Sequence, residues 1–519
     1  MAGDEQRAAD VQGGEPQAAA GIKNLARLLS MLGAEDRSTQ PAEHKFWKTQ
    51  PVMQPGDSQA LPSGAIQPNV PPAQVRATPL PLPADFSWVT VDIQNDAELR
   101  EVYDLLTHHY VEDEDATMRF KYSPAFLRWA LQYPGYDKSW HVGVRVKSSG
   151  KLVAFIAGIP QELRVRTETQ QVTEINFLCV HKKLRSKRLA PVLIQEVTRR
   201  CNLSGIFQAI YTAGQVLPTP ISCARYYHRT LDAAKLLDIG FSAVPRGMSR
   251  EDHIARFTLP STIKTVGLRE MREADVPAVG RLLRRYMARF DMAPRFTDAE
   301  VRHMLVPAPS DDERVTWCYV VVQDGRLTDV VSFYSLPSSV LNHETHDMLR
   351  AAYLFYYASD AVWEEPLPSG PVSTGPSPWD SAIAAGQAPW QCTHCSRLTP
   401  AEAADERDVV PWHKESAAQK SALQARLQQL MGDVLVLAQQ QGFDVVNCLT
   451  GMDNALFASD LKFGPGDGFL RFYLFNWRVA PIAGGLGSRA NEEALDPAHD
   501  TPHPQPPTQW GAGNGVVMV

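Results

Sequence analysis

Residues 174–191 read Glu-Ile-Asn-Phe-Leu-Cys-Val-His-Lys-Lys-Leu-Arg-Ser-Lys-Arg-Leu-Ala-Pro. An apolar strand through Ile175 and Phe177 leads into a loop with five basic side chains, and a helical pattern begins at Leu189. This order favours pyrophosphate binding, because free N–H groups, the helix dipole and basic side chains all attract an anion. A solvated turn or a nuclear-localisation run is the alternative, but it leaves the apolar strand unexplained.

Three further segments occur in a fixed order after this stretch. They are Tyr-Thr-Ala-Gly at 211–214, Arg-Tyr-Tyr-His-Arg at 225–229 and Lys-Phe-Gly-Pro-Gly-Asp-Gly at 462–468. Together with residues 174–191 they resemble the N-myristoyltransferase family, from about His44 to Trp477. The chain departs from that family at Tyr227, where a tryptophan is usual.

Composition excludes several classes of protein. The chain has 519 residues, enough for two or three domains, with 44% hydrophobic residues and a formal net charge of −7. Nucleic acid is therefore not an expected partner, and no apolar run approaches the roughly 20 residues that span a bilayer. The N-terminus lacks the pattern of a signal peptide. Cys179, Cys201, Cys223 and Cys448 lie in apolar patterns and are expected to be reduced, which suits a cytoplasmic enzyme.

The pattern along the chain predicts a disordered tail over residues 1–43, then two halves at 44–260 and 261–519. We expect helices around Leu99–Leu106, Val276–Tyr286 and Met431–Ala438, and strands at Trp140–Val146, Leu152–Ile159, Trp317–Val322, Val330–Tyr334 and Phe469–Phe475. The fold class is therefore α/β, with two tandem units. The resemblance implies that both units are acetyltransferase-like and share a mixed, saddle-shaped sheet.

Two segments interrupt the family pattern. Residues 361–417 are rich in proline, glycine and serine and are expected to form a mobile surface loop, and residues 482–514 are expected to loop out. Cys392 and Cys395 could be half of a zinc site, but a structural site needs four ligands and only His413 lies nearby. We therefore predict no metal.

The resemblance implies an acyl-CoA site on the opening stretch. The backbone N–H groups of Phe177 and Leu178 would form the oxyanion hole, which sequence alone cannot show. Residues expected to contact acyl-CoA are His44, Lys45, Phe46, Trp47, Phe177, Leu178, Cys179, Val180, Arg185, Ser186, Lys187, Arg188, Leu189 and Ala190.

The resemblance also implies a peptide groove. Four consecutive acids at 112–115 are usually a solvated loop, but in this family they would attract basic residues downstream of a substrate glycine. The expected groove residues are Tyr110, Asp113, Asp115, Asn176, Thr212, Tyr226, His228, Ser332, Tyr334 and Asp467, with Leu336 a weaker candidate.

These features imply transfer of myristate from myristoyl-CoA, a co-substrate, to the N-terminal glycine of proteins with nearby serine or lysine. The resemblance implies that the glycine ammonium loses its proton to the chain's own C-terminal carboxylate, here on Val519. We expect Val516, Val517 and Met518 to form a buried strand that delivers it. A monomer without a permanently bound cofactor is expected. The alternatives are a relative that uses another acyl donor and an inactive relative that binds acyl-CoA or peptide.

Overall fold

The computed structural model describes residues 44–519 except 56, 58–61, 112–116, 309, 311–312, 342, 364–374, 388–394 and 486–511, and it leaves the side chain of Asp467 undescribed. The expected disordered tail, Asp113, Asp115 and Cys392 thus lie outside the described residues. Within the described ranges, no helix combines the length and the apolar character that crossing a membrane requires.

The helices follow the apolar spacing of the sequence. They are α1 (Asp96–His109), α2 (Pro124–Leu131), α3 (Leu189–Leu203), α4 (Ala233–Asp238), α5 (Arg250–Arg256), α6 (Val276–Met287), α7 (Asp298–Leu305), α8 (Pro378–Ala384), α9 (Pro400–Ala404) and α10 (Ala417–Gln440). Helix α1 is typical: the Asn95 side chain accepts the Ala97 N–H at 2.9 Å, and Leu99, Val102 and Leu106 are buried on one face.

The strands are β1 (Phe86–Thr90), β2 (Met118–Phe120), β3 (Val142–Val146), β4 (Leu152–Val165), β5 (Glu168–Val180), β6 (Gln208–Ala213), β7 (Ser222–Thr230), β8 (Leu268–Glu270), β9 (Met292–Pro294), β10 (Thr316–Gln323), β11 (Arg326–Ser335), β12 (Ser338–Val340), β13 (Met348–Leu349), β14 (Ala351–Leu354), β15 (Ala358–Ser359), β16 (Val445–Leu449) and β17 (Gly464–Phe475). All but β2, β12 and β13 belong to one sheet with the order β1-β3-β4-β5-β6-β17-β7-β16-β14-β11-β10-β8, with β9 on β4 and β15 on β11.

The same arrangement of strands and crossover helix occurs twice in the sheet. In the first half, antiparallel β3, β4 and β5 are followed by α3 and by β6, which is parallel to β5. In the second half, antiparallel β10, β11 and β14 are followed by α10 and by β16, which is parallel to β14. The predicted α/β class, with two tandem units on one mixed sheet, is confirmed.

The two units are interlocked rather than merely adjacent. Strand β17, from the end of the chain, lies between β6 and β7 and is antiparallel to both, while β7 also pairs with β16. The sheet is buried on both faces, because alternate residues of β4 enter different cores. Phe155 belongs to the large core, whereas Ile156 packs in a smaller core with Leu193 and Val197 of α3.

The insertion at 361–417 differs from the expected surface loop. Its described part carries α8 and α9, and Leu398 and Trp412 are fully or almost fully buried. The insertion is attached to buried Glu162 of β4, which accepts hydrogen bonds from the Ser396 hydroxyl at 2.8 Å and from the Arg397 N–H, and which is paired with Arg295. Proline and glycine content indicates a lack of long helices, but it does not show that a buried carboxylate holds the segment in place.

Candidate active site

Strands β5 and β6 stop pairing in the middle of the sheet. Their parallel ladder joins Val172–Glu174 to Gln208–Ile210 only. Beyond it, β5 continues on β4 and β6 continues on β17. A cavity of about 750 Å³ occupies the opening, which we call the first wedge, and Asn176, Phe177 and Thr212 line it. Because its lining draws on both apolar cores, the cavity passes from one face of the sheet to the other.

A bulge shapes the β5 wall of this wedge. Phe155 is opposite Cys179 and Ala157 is opposite Asn176, so Ile156 faces two residues, Phe177 and Leu178. Phe177 has φ 57°, the left-handed region that non-glycine residues rarely adopt. The bulge turns this backbone out of the ladder and toward the cavity. The rings of Phe177 and Tyr110 lie with their centroids 6.1 Å apart, and burial raises the pKa of the Tyr110 hydroxyl.

The basic loop closes one end of the cavity. It is a 3₁₀ helix (Lys182–Lys187) followed by Arg188 in the left-handed conformation, and no side chain caps the start of α3. Arg185, Arg188 and Ala190 line the cavity. Three neighbours that the sequence analysis predicted for the same site do not line the cavity. Ser186 and Lys187 are exposed, and Leu189, the first residue of α3, is buried in the smaller core.

Helix α1 ends against this loop. A guanidinium N–H of Arg185 donates to the His109 carbonyl at 2.6 Å. The ring centroids of His109 and His181 lie 3.9 Å apart. Burial first, and then the charges of His181 and Lys182, lower the pKa of His109 to about 4, so this cavity-lining imidazole is neutral at pH 7.

The N-terminal segment covers the cavity through aromatic stacking. His44, Phe46 and Trp47 line it, whereas Lys45 does not. The Trp47 ring stacks on Tyr211 with centroids 5.4 Å apart, and Tyr211 stacks on Tyr473 at 5.1 Å. Because Tyr211 and Tyr473 belong to the central strands β6 and β17, the segment rests on the middle of the sheet.

The opposite wall is aromatic and carries the end of the chain. Tyr110, Tyr226, Tyr334 and Leu336, all predicted, line the cavity, as do Met518 and Val519. Val516 and Met518 are buried, but the predicted strand is wrong. The last residues form no ladder within the described part of the chain, and their nearest backbone pairing is the isolated bridge between Met292 and Asn514.

One buried carboxyl lies at the base of the wedge. Glu174 accepts a hydrogen bond from the Asn176 amide at 2.9 Å. Burial raises the pKa of Glu174 to about 8, and the Asn176 contact opposes this shift. The neutral acid therefore predominates at pH 7. The bond from the Asn176 nitrogen leaves its carbonyl oxygen available on the other side of the amide.

Several predicted peptide contacts lie elsewhere. Ser332 is fully buried, and its hydroxyl donates to the Tyr356 carbonyl at 2.6 Å. His228 bonds the Asn447 side chain at 2.7 Å, and neither residue lines the cavity. Asp113 and Asp115 lie outside the described residues, and the side chain of Asp467 is not described.

The sequence interpretation missed part of the wall. Lining residues not predicted include Tyr122, Ile194, Thr198, Cys201, Tyr211, Gln215, Tyr353 and Phe475. Ile194 and Cys201 follow the apolar spacing of α3, which could have indicated them. Burial raises the pKa of Cys179 and of Cys201 to about 12, so both thiols stay protonated.

Comparisons with known proteins agree with this geometry. Residues 65–224 match the N-terminal domain of the myristoyl-CoA:protein N-myristoyltransferase family, and residues 238–498 match its C-terminal domain. A glycylpeptide N-tetradecanoyltransferase of Mycosarcoma maydis is 51% identical, covering 99% of this chain and 82% of that protein. The enzyme of the same name from Emericella nidulans is 45% identical over 96% of this chain and 88% of its own.

Solved structures point the same way. The crystal structure of Saccharomyces cerevisiae N-myristoyltransferase with bound myristoyl-CoA superimposes with a TM-score of 0.77 at 41% identity, covering 92% of this chain and 100% of that one. On these matches, the chain belongs to the myristoyl-CoA:protein N-myristoyltransferase family and is an acyltransferase.

Proposed function

We propose that this enzyme transfers myristate from myristoyl-CoA to the α-amine of an N-terminal glycine. One observation supports this most strongly. The bulged backbone of Phe177 and Leu178, the basic start of α3 and the chain's own Val519 all line the same cavity. These three features correspond to an oxyanion site, an anion site and a base.

The acyl donor lies on the α3 side of the cavity. Arg185, Arg188 and the uncapped helix start attract the phosphates of CoA. The apolar lining of Ile156, Ile194 and Val197 accommodates the acyl chain. Each buried methylene contributes about 0.8 kcal/mol, so an apolar wall favours a long chain over acetyl. His44, Phe46 and Trp47 cover this donor.

The reaction is a direct acyl transfer. The Val519 carboxylate takes a proton from the glycine ammonium, and the resulting amine attacks the thioester carbonyl. The Phe177 and Leu178 N–H groups stabilise the oxyanion that forms. As the C–S bond breaks, the second amine proton goes to the departing sulfur, so CoA leaves as the thiol and the amide C–N bond remains. An α-carboxyl has a pKa of roughly 3.3–3.7, so it is ionised at pH 7.

The peptide lies on the aromatic side of the cavity. Asn176 and Thr212 face the amine end, because both lie on the β5 and β6 walls of the wedge. Tyr110, Tyr226 and Tyr334 form the wall behind them. Asp113, Asp115 and Asp467 attract basic residues downstream of the glycine. Residues 44–260 thus bind acyl-CoA, residues 261–519 complete the peptide site, and the enzyme acts as a cytoplasmic monomer.

The test is an assay of the purified full chain with myristoyl-CoA and a basic peptide that begins with glycine. We expect amide formation, and no product from the matched peptide that begins with alanine. Lauroyl-CoA and palmitoyl-CoA in competition test the alternative acyl donors. Faster turnover of another chain length would reassign the donor. Binding of both substrates without product would identify an inactive relative.

A further inference from the structure

The second half of the sheet contains an opening like the first. Strands β14 and β16 pair in parallel only over Ala351–Tyr353 and Val445–Asn447. We call the opening beyond them the second wedge. Leu354 and Phe355 on one side and Cys448 and Leu449 on the other border a residual space of about 30 Å³. The rest of this wedge is filled by the chain itself, through Val516, Val517 and Met518.

Tyr356 is the residue of this wedge that holds the chain end. The Val517 N–H donates to its hydroxyl oxygen at 3.0 Å, and the hydroxyl donates to the Val517 carbonyl at 3.2 Å. The ring is fixed as well: Tyr356 is 2% exposed and packs edge-on against Phe296 with centroids 4.8 Å apart. The Ser332 hydroxyl holds the Tyr356 carbonyl. One rigid hydroxyl therefore satisfies both backbone groups of Val517.

The position of Tyr356 corresponds to that of Phe177. Phe177 is three residues beyond Glu174, the last residue of β5 that pairs with β6. Tyr356 is three residues beyond Tyr353, the last residue of β14 that pairs with β16. In the first wedge the residue at this position presents its backbone to the cavity. In the second wedge it presents a side-chain hydroxyl to the last four residues, Val516–Val519, which we call the C-terminal tail.

The tail has few other polar attachments beyond residue 515. The Val516 N–H donates to the Asn514 side chain at 3.0 Å, and the apolar side chains of Val516 and Met518 are buried. Burial of these side chains keeps the C-terminal tail in the wedge. Because the hydrophobic effect is non-directional, it does not determine how far the tail extends through the wedge. Two hydrogen bonds to Val517, two residues before the carboxylate, do fix that position.

We propose that Tyr356 is a positioning residue for the reaction: its hydroxyl sets the place of the Val519 carboxylate in the first wedge. This inference rests on the proposed role of Val519 as the base. Tyr356 does not line the large cavity, so it acts through the tail and not on either substrate.

The test is Tyr356→Phe, which keeps the ring and removes both hydrogen bonds to Val517. We expect kcat to fall about 10- to 100-fold, because a displacement of about 1 Å at a reacting group costs up to that factor. The dissociation constant for myristoyl-CoA should change less than about twofold, since no contact with the donor is lost.

Tyr357→Phe is the matched control. Tyr357 is also fully buried, and its hydroxyl donates to the Asn454 side chain at 2.8 Å and accepts the Asp453 N–H at 3.0 Å. The Tyr357→Phe variant therefore also loses one donated and one accepted hydrogen bond. We expect a drop in melting temperature similar to that of Tyr356→Phe, but a kcat within about threefold of wild type. Equal kcat losses in the two variants would show a general packing effect and overturn the proposal.

A double-mutant cycle separates this inference from the function on which it rests. Tyr356→Phe should have no further effect on kcat once Met518 and Val519 are deleted, since the group it positions is gone. Wild-type kcat in Tyr356→Phe, or an undiminished effect in the truncated chain, would overturn the positioning role alone. Wild-type kcat in the truncated chain would overturn the base assignment and this inference together.

Discussion

The two wedges of the sheet share a topology and differ in what fills them. Each arises where a parallel ladder of three residue pairs ends, after a helical crossover. The first wedge holds a cavity of about 750 Å³, whereas the second is filled by Val516–Met518 and retains about 30 Å³. The repeated fold therefore provides two openings. One holds the end of the chain, and the other remains open as the proposed substrate site.

The crossover helices explain part of this difference. Helix α10 begins with a capping box, in which the Gln419 N–H donates to the Ser416 hydroxyl at 3.2 Å and the Ser416 N–H donates to the Gln419 side chain at 2.8 Å. Helix α3 begins at left-handed Arg188 without a side-chain cap. The start of α3 is thus available to an anion, whereas two N–H groups at the start of α10 are already satisfied by side chains of that helix.

Removing the last two residues of the chain should have the largest effect. Deletion of Met518 and Val519 removes the proposed base, so kcat should fall by about 10²–10⁴-fold, the usual contribution of general base catalysis. Calorimetry should show nearly unchanged affinity for myristoyl-CoA.

The control for this truncation is a deletion within residues 486–511. The Ala483 carbonyl accepts the N–H groups of Gly513 at 2.8 Å and Asn514 at 3.0 Å, so the two ends of that segment are already held together. Activity should stay near wild type. A large loss in this control, without a loss in the truncation, would show that the Val519 carboxylate is not the base.

Weakening the anion site of the first wedge should have the next largest effect. Arg188→Ala should raise the KM for acyl-CoA about fivefold to 150-fold and the KM for peptide less. This rise corresponds to roughly 1–3 kcal/mol, the contribution of the charge-assisted hydrogen bond that is lost. Arg188→Asn tests the same loss in a residue that tolerates the left-handed backbone. Exposed Lys187→Ala is the control. Unchanged acyl-CoA binding in both Arg188 variants would remove Arg188 from the site.

The acidic run should have a smaller effect. Replacing Asp113 and Asp115 by Asn should weaken peptides with lysine near the N-terminus several-fold and leave neutral peptides unaffected, since partly solvated ion pairs contribute about 0.2–1 kcal/mol each. Initial rates at low and high salt provide the measurement, and the difference should shrink as salt increases. Equal losses for charged and neutral peptides would indicate damage to the fold.

The smallest change in kcat is expected at the base of the first wedge, where the prediction concerns the stability of the fold rather than turnover. Glu174 has a folded pKa of about 8, above its unfolded value, so the native state binds more protons between about pH 4.5 and pH 8. Its contribution is therefore complete at low pH and is lost as pH rises, by at most about 5 kcal/mol. Glu174→Gln should flatten the fall in melting temperature between pH 5 and pH 8. Parallel curves for the two proteins would contradict the raised pKa.

The spacing of apolar residues along the sequence was enough to predict the main helices and strands. The apolar spacing of Val276–Tyr286 and the alternation through Leu152–Ile159 indicate α6 and β4. Both begin where predicted, but α6 ends one residue later and β4 continues six residues further, to Val165. Strand β5 and helix α3 could also be read directly, since a basic loop separates them. These features depend on local spacing, which a single sequence contains.

The wedges and the tail could not be predicted in that way. The bulge at Phe177 depends on a register shift against Ile156, and no residue type in β5 indicates it. In the described part of the insertion, Ser396 is held by Glu162, which is more than 200 residues away in sequence. The attachment of Val517 to Tyr356 spans 161 positions. Such contacts result from packing at long sequence separation.

The most direct test replaces a single atom group at the chain end. A semisynthetic protein with a Val519 carboxamide retains the side chains and backbone of the tail but has no carboxylate to accept a proton. Single-turnover amide formation should be at least about 100-fold slower than in the native acid, with unchanged myristoyl-CoA affinity and melting temperature. A carboxamide protein that forms product at the native rate would contradict the claim that the C-terminal carboxylate is the base.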